Sequence, residues 1–449
     1  MGSLPANTPS ILPPSASLLA SYCATPGEVA AAFPQDEPII ALIGGGNDPT
    51  WSRWSIVAPV GPKRITLRAG ESLDAFASAM HTDGPPTLLP GWVGFLSYDL
   101  GRVIEPAVGD GASCESWPLA DLWWCDRALV HDAVSNQWWS VGGLRPPPPP
   151  ACPPSALRCG PLVDPIGADA FTEAVGHAIG FIEAGDIFQA NITRRFRSQI
   201  DGDVRGAALA ALEENGGWFG AYIEFPGTPD RCLFSLSPEL FLHHDARTRR
   251  VVTRPMKGTR PSDADPSSLL SSPKDAAELH MIVDLMRNDL GRVCEFGSIA
   301  VPTGRALEEH PTVLQCVGQV EGTLRKDRNF ADLLRATFPA GSVTGAPKIR
   351  AMQVIDELEV FPRGPYCGAI GVIGRSAELS VAIRTAAITG ERTPTGRFCG
   401  TLTYGAGCGI VADSRPVEEL VESEVKVRGM RQAITRRGVA PVAESQPLA

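Results

Sequence analysis

The stretch WFGAYIEFPGTPDRCLFSLSPELFLHHDARTRRVVTR (218–254) decides the fold class. Its apolar runs at 218–225 and 232–236 and the β-branched run at 250–254 read as strands, because branched and aromatic side chains suit a pleated surface. Working outward, further strand patterns fall at 187–198, 369–373 and 380–390. Helical periodicity marks 168–184, 273–292, 329–336, 347–358 and 416–436. Strands thus arrive in pairs between helices, not strictly one for one. That spacing favours antiparallel sheets with helices on their faces, an α+β class, over a doubly wound parallel sheet.

Along the chain, residues 1–18 are rich in Pro and Ser and are expected to be disordered. A first folded region spans 19–144, with strand-like runs at Ile39–Ile43, Trp54–Ala58, Leu122–Asp126 and Trp138–Val141. Residues 145–164 form a proline-rich linker, in which Pro146–Pro150 favours polyproline II. The second region, 165–438, reads as one large α+β unit, and 439–449 as a disordered tail. The boundary between the two regions is one of sequence, since the early strands can join the same sheets.

The chain has 449 residues, 43% of them apolar, which is ample for a large core. Lys+Arg is 40 and Asp+Glu 50, a formal charge of −10. That balance argues against non-specific nucleic-acid binding, which needs a basic footprint. An anionic substrate would need local cations or backbone N–H groups. The 11 cysteines are odd in number and contain no CxxC pair, so neither a full disulfide framework nor a zinc site is expected. No apolar run is long enough to cross a membrane. The expectation is a soluble, cytoplasmic protein.

Several constellations could carry chemistry. In the 273–292 helix, Glu278 falls within the arc of Met281, Ile282, Leu285 and Met286. A carboxylate there is costly unless it is paired or binds a metal. The polar run Arg287–Asn288–Asp289 could form an internal ion-pair network. In the last helix Glu419, Glu422 and Lys426 share one face, roughly opposite Val417, Leu420, Val421 and Val425. That face is either solvated or set over a cleft, where a hard cation such as Mg²⁺ would take its oxygens. Lys257, in a Met–Lys–Gly sequence after a strand, is a turn lysine or a nucleophile. Glu239 is a turn residue or a general acid. Gly341–Lys348 and Gly405–Gly409 are small-residue loops, either simple turns or anion cradles.

Taken in order, these signals resemble the chorismate-utilising enzymes, most closely the component I branch of the aminodeoxychorismate synthases. The stretches that carry the resemblance are GDIFQANITRRF (185–196), SPELF (237–241), PMKGTRP (255–261) and AELHMIVDLMRNDLGRVCEFGSI (277–299). FPAGSVTGAPKIRAMQVIDELE (338–359), YCGAIGVIG (366–374), AIRTAAI (382–388) and GAGCGIVADSRPVEELVESEVK (405–426) complete it, with GWVGFLSYDLGR (91–102) in the first region. The resemblance implies large antiparallel β-sheets packed face to face and flanked by helices. It makes Glu278 and Glu422 Mg²⁺ ligands, and Glu239 the acid that protonates the departing C4 hydroxyl of chorismate. Gln189, Thr344, Tyr366, Arg384, Gly405, Ala406, Gly407, Lys426 and Glu419 become substrate-site residues.

Two positions sort the family by reaction. Lys257 stands where anthranilate synthases usually have Ala, and the resemblance makes it a covalent nucleophile at C2 of the ring. Gln189 stands where isochorismate and salicylate synthases have the Lys that activates water. Gln cannot be that base. The implied reaction is amination of chorismate at C4 to 4-amino-4-deoxychorismate, with ammonia from a separate glutaminase subunit and a separate lyase downstream. The rivals are an anthranilate synthase component I and, in another class, a weakly catalytic scaffold for a glutaminase. One departure stands out: Gln315 occupies the place of a family histidine.

Overall fold

The computed structural model describes residues 11–20, 22–45, 48–109, 114, 116–148, 156–215, 218–309 and 313–435. Its strands form two sheets, one of 12 strands and one of 10, and every pairing within them is antiparallel. The deciding stretch contributes to both. Strands Phe219–Phe225 and Asp230–Ser237 pair in the larger sheet, while Leu240–Asp245 and Arg250–Arg254 pair in the smaller. The sheets pack face to face through Ile40, Ile56, Ile223 and Leu233 on one side and Val93, Phe95, Ile370 and Val372 on the other, all at most 3% exposed. Helices cover the outer faces: Pro273–Gly291 and Phe330–Thr337 pack on the smaller sheet, Val204–Asn215 and Pro416–Thr435 on the larger.

The two sequence regions interleave. Ile39–Ile43 pairs with Phe219–Phe225, and Gly91–Leu96 pairs with Ala369–Ile373. Pairing needs only matched backbone, so distant segments join as readily as neighbours. Part of the segment expected to be disordered is folded: Ile11 is buried in the inter-sheet core and Ser17–Leu19 pairs with Gln137–Val141. Part of the expected linker is also folded, since Leu157–Cys159 adds to the strand Gln189–Gly202. Residues 1–10, 149–155 and the tail 439–449 lie outside the described residues.

Two elements differ from their sequence reading in ways that shape the site. Gly405–Gly409, read as a loop, continues the strand Phe398–Ile410, held along its length by pairing with Gln189–Gly202. The single strand read at 380–390 is two, Ala377–Val381 and Thr385–Arg392. Between them Arg384 takes a φ of 49°, a left-handed conformation that costs a non-glycine residue roughly 1 kcal/mol or more.

Candidate active site

A cavity of about 920 Å³ is walled by strands of both sheets and by the helices Pro273–Gly291 and Pro416–Thr435. Glu239, Lys257, Glu278, Tyr366, Arg384, Gly405, Ala406, Gly407, Glu419, Glu422 and Lys426 all line it. Strand geometry aims the first two. Glu239 immediately precedes the strand Leu240–Asp245. Lys257 sits at a bulge, where the register of Met256–Pro261 against Val313–Thr323 shifts between Lys257 and residue 259. Gly258 makes that bulge possible with a φ of 82°.

Lys257 Nζ lies 3.3 Å from Glu278 Oε2, with both side chains largely buried. Glu239 is 3% exposed. Burial pushes its carboxyl up to about 7, although the Ser342 hydroxyl and the Lys257 charge both oppose the shift. A carboxyl that titrates near neutrality is suited to proton transfer. Arg384 is the opposite case. Burial lowers its guanidinium, and among the described residues nothing offers that group a hydrogen bond or ion pair. A half-buried cation that faces a cavity without a protein partner is built for an anionic ligand.

On the far wall, Lys426 Nζ donates to Glu422 Oε1 and to the Gly407 carbonyl, each at 2.7 Å. Partial desolvation acts against the Lys426 charge, but the Glu422 carboxylate outweighs it, and the ammonium titrates above the ordinary lysine range. Glu422 in turn is held below the usual carboxylate range: burial pulls upward, and Lys426 and Lys257 overcome it. Glu419 accepts from Ser414 Oγ at 2.7 Å and has Lys274 at 3.9 Å. The Glu419 and Glu422 oxygens and Cys408 Sγ lie within 4.8 Å of one another. Glu278 and Glu422 present carboxylate oxygens to the same cavity, the donor type that hard divalent cations take.

The glycines of Phe398–Ile410 make room for these side chains. A Cβ on Gly405 would fall 2.2 Å from the Tyr366 ring. One on Gly409 would fall 2.3 Å from Lys257 Nζ and 2.6 Å from Gln189 Nε2. Strand, not loop, geometry explains the pattern: alternate residues share a face, so residues 405, 407 and 409 form a trough without side chains.

The profile of the chorismate binding enzyme family matches residues 56–432. The chain belongs to the chorismate-binding enzymes. It is 41% identical over 361 residues to an aminodeoxychorismate synthase component 1 of Klebsiella aerogenes, covering 76% of each chain. It is 32% identical over 441 residues to an anthranilate synthase component 1 of Saccharolobus solfataricus, covering 92% of this chain and 98% of that one. The crystal structure of anthranilate synthase component I from Streptococcus pneumoniae superposes with a TM-score of 0.72 at 27% identity, covering 84% of this chain and 92% of that chain. Among the described residues, no helix is long and apolar enough to cross a membrane.

Within this chorismate-utilising enzyme, two of the residues named from sequence do not line the cavity. Gln189 is fully buried behind it, beside Lys257, and neither of its amide atoms has a hydrogen-bond partner. Thr344 turns its hydroxyl inward to the carbonyls of Ala340 at 3.1 Å and Gly341 at 3.3 Å. The members of that loop that reach the cavity are Ser342 and Val343, and sequence reasoning passed over the polar one, Ser342. Asn191 was also missed, although period-2 counting from Gln189 would have found it. Of the polar run in the 273–292 helix, only Asp289 is buried, paired with Lys348 at 2.6 Å; Arg287 and Asn288 face solvent.

Proposed function

We propose that this chain aminates chorismate at C4 with ammonia, giving 4-amino-4-deoxychorismate. The observation that carries the reading is Lys257, aimed into the chorismate-family cavity between Glu278 and the acid Glu239. The free amine of Lys257 bonds to C2, the two conjugated ring double bonds shift, and the C4–O bond breaks. The hydroxyl leaves as water with the Glu239 proton. Ammonia then bonds to C4, the two double bonds shift back, and the C2–N bond breaks to return the lysine amine. The proton shed by the incoming nitrogen restores Glu239. The net change is chorismate plus ammonia to 4-amino-4-deoxychorismate plus water. Splitting one displacement into two is the gain of covalent catalysis.

Arg384 holds a substrate carboxylate, and the Gly405–Gly409 backbone offers close approach to the ring. Glu278 and Glu422 would hold Mg²⁺, which supplies neutralisation of a substrate carboxylate and of developing negative charge. Gln189 beside Lys257 cannot activate water, which leaves ammonia as the nucleophile. In this reading a separate glutaminase subunit delivers the ammonia, and a separate lyase makes 4-aminobenzoate.

The near full-length similarity to an anthranilate synthase component 1 supports a second reading, amination at C2. One incubation separates them: the purified chain with chorismate, Mg²⁺ and ammonium, analysed by chromatography with and without an added aminodeoxychorismate lyase. The C4 reading expects 4-aminobenzoate only with the lyase, and its loss in Lys257→Ala. Anthranilate formed without the lyase would establish the second reading.

A further inference from the structure

We propose that Ser342 is a positioning residue for Glu239, fixing which carboxyl oxygen carries the proton that the leaving hydroxyl takes. The inference rests on the reading above, in which Glu239 is the acid. Ser342 lies in the 3₁₀ turn Gly341–Val343, and its hydroxyl donates to Glu239 Oε1 at 2.5 Å. Both residues are under 9% exposed and both line the cavity.

The turn is held from two sides. Thr344 Oγ1 ties back to the carbonyls of Ala340 and Gly341. Gly341 sits so close to the helix Pro273–Gly291 that a Cβ would lie 2.8 Å from Leu285 Cδ2. The serine is therefore a fixed donor, not a free rotor on a mobile loop. A hydroxyl that donates to Oε1 occupies one lone pair of that oxygen and biases the proton of the acid form toward Oε2. The other groups acting on this carboxyl are the Met256 N–H, which also donates to it, the Lys257 charge, and the Cys367 thiol, which is uncharged because burial pushes it up to about 12. Donors to a carboxylate favour its charged form, so Ser342 also keeps the acid strong enough to give its proton away.

The test is the pH profile of kcat for wild type, Ser342→Cys and Ser342→Ala, at saturating chorismate and with free ammonia held constant. The acid form of Glu239 is the active one, so kcat falls on the alkaline side. Losing the donor weakens the acid and moves that limb upward by about one pH unit in Ser342→Ala, with a smaller move in Ser342→Cys. The plateau is expected to fall about tenfold while KM for chorismate stays within about twofold, the split of a group that acts on the proton transfer and not on binding. A Ser342→Ala limb at the wild-type pH overturns the proposal. If that variant does not fold, an unmoved limb in the near-isosteric Ser342→Cys does the same. Glu239→Gln separates this from a failure of the underlying reading: a limb that persists without Glu239 refutes the acid assignment itself.

Discussion

Replacing Gly409 by alanine tests where the nucleophile must sit. Gly409 is a regular strand residue paired with Asn191, so the backbone accepts alanine without strain. The added methyl, however, would fall 2.3 Å from Lys257 Nζ and 2.6 Å from Gln189 Nε2. An ordinary carbon–nitrogen contact is roughly 3.5 Å, so Nζ must retreat by about 1 Å. A displacement of that size at a reacting atom costs on the order of 100-fold in rate. The folding cost should be small, because both obstacles are the ends of flexible side chains. Gly405→Ala is the contrasting control. Its methyl would lie 2.2 Å from a ring carbon of Tyr366, whose ring cannot fold away. That variant is expected to lose about 1–3 kcal/mol of stability, the usual cost of overpacking. The assay is kcat with ammonium alongside thermal melting. Gly409→Ala should melt like wild type and turn over on the order of 100-fold more slowly. A Gly409→Ala enzyme with wild-type kcat would refute the placement of Lys257. A melting loss as large as that of Gly405→Ala would refute the argument from flexible ends.

Glu239→Gln should lower kcat by about 10²- to 10⁴-fold and also change stability. Because the folded carboxyl is raised from 4.5 to about 7, the folded chain keeps a proton in that window that the unfolded chain has lost, so wild-type stability falls as pH rises through it. Glu239→Gln should therefore melt higher than wild type at pH 8 but not at pH 4, and equal melting at both would contradict the raised carboxyl. Arg384→Gln should raise KM for chorismate at least about tenfold without lowering the melting temperature, since the guanidinium has no protein partner to lose; an unchanged KM would remove it from the anion site. A chelator should abolish amination, and added Mg²⁺ should restore the wild type but not Glu422→Ala; full activity in the chelator would exclude the metal role.

The architecture was legible where periodicity was strong. The helix read at 273–292 runs Pro273–Gly291, and that read at 347–358 runs Lys348–Leu358, because each buries a continuous stripe. Legibility failed where partners, not propensity, make the element. The end of Phe398–Ile410 is rich in glycine, which carries no strand preference, yet its pairing with Gln189–Gly202 extends through Ile410. Ala300–Glu309, with its weakly apolar sequence, went unread for the same reason; it is an exposed flank held by Val313–Thr323. Arg384 broke a run that looked continuous, and nothing local announces a left-handed arginine.

The helix Pro416–Thr435 shows most clearly what a pattern can and cannot say. Its pattern was legible in part: Glu419, Glu422 and Lys426 lie together on the cavity, but of the apolar stripe Val417, Leu420, Val421 and Val425, Val425 lines that same cavity and Leu420 packs against the core. Which face turns inward was not. Val417, Val421 and Val425 are 68%, 55% and 53% exposed, whereas Glu419 is only 5% exposed; Glu422 and Lys426 line the cavity with side chains still 57% and 41% exposed. The rule that apolar residues go inside assumes that the inside is apolar. Here the inside is a cavity that already holds Lys257 and Lys274, and carboxylates facing those cations are better placed there than in a hydrocarbon core. The polarity of one helix therefore depended on residues roughly 145 to 165 positions away, which only the fold brings to it. The motifs taken together supplied that context before the structure did, since Glu278 and Lys257 had already been assigned to the same site as Glu422. A charged helix face reads as solvent-facing only until its opposite charges are found elsewhere in the chain.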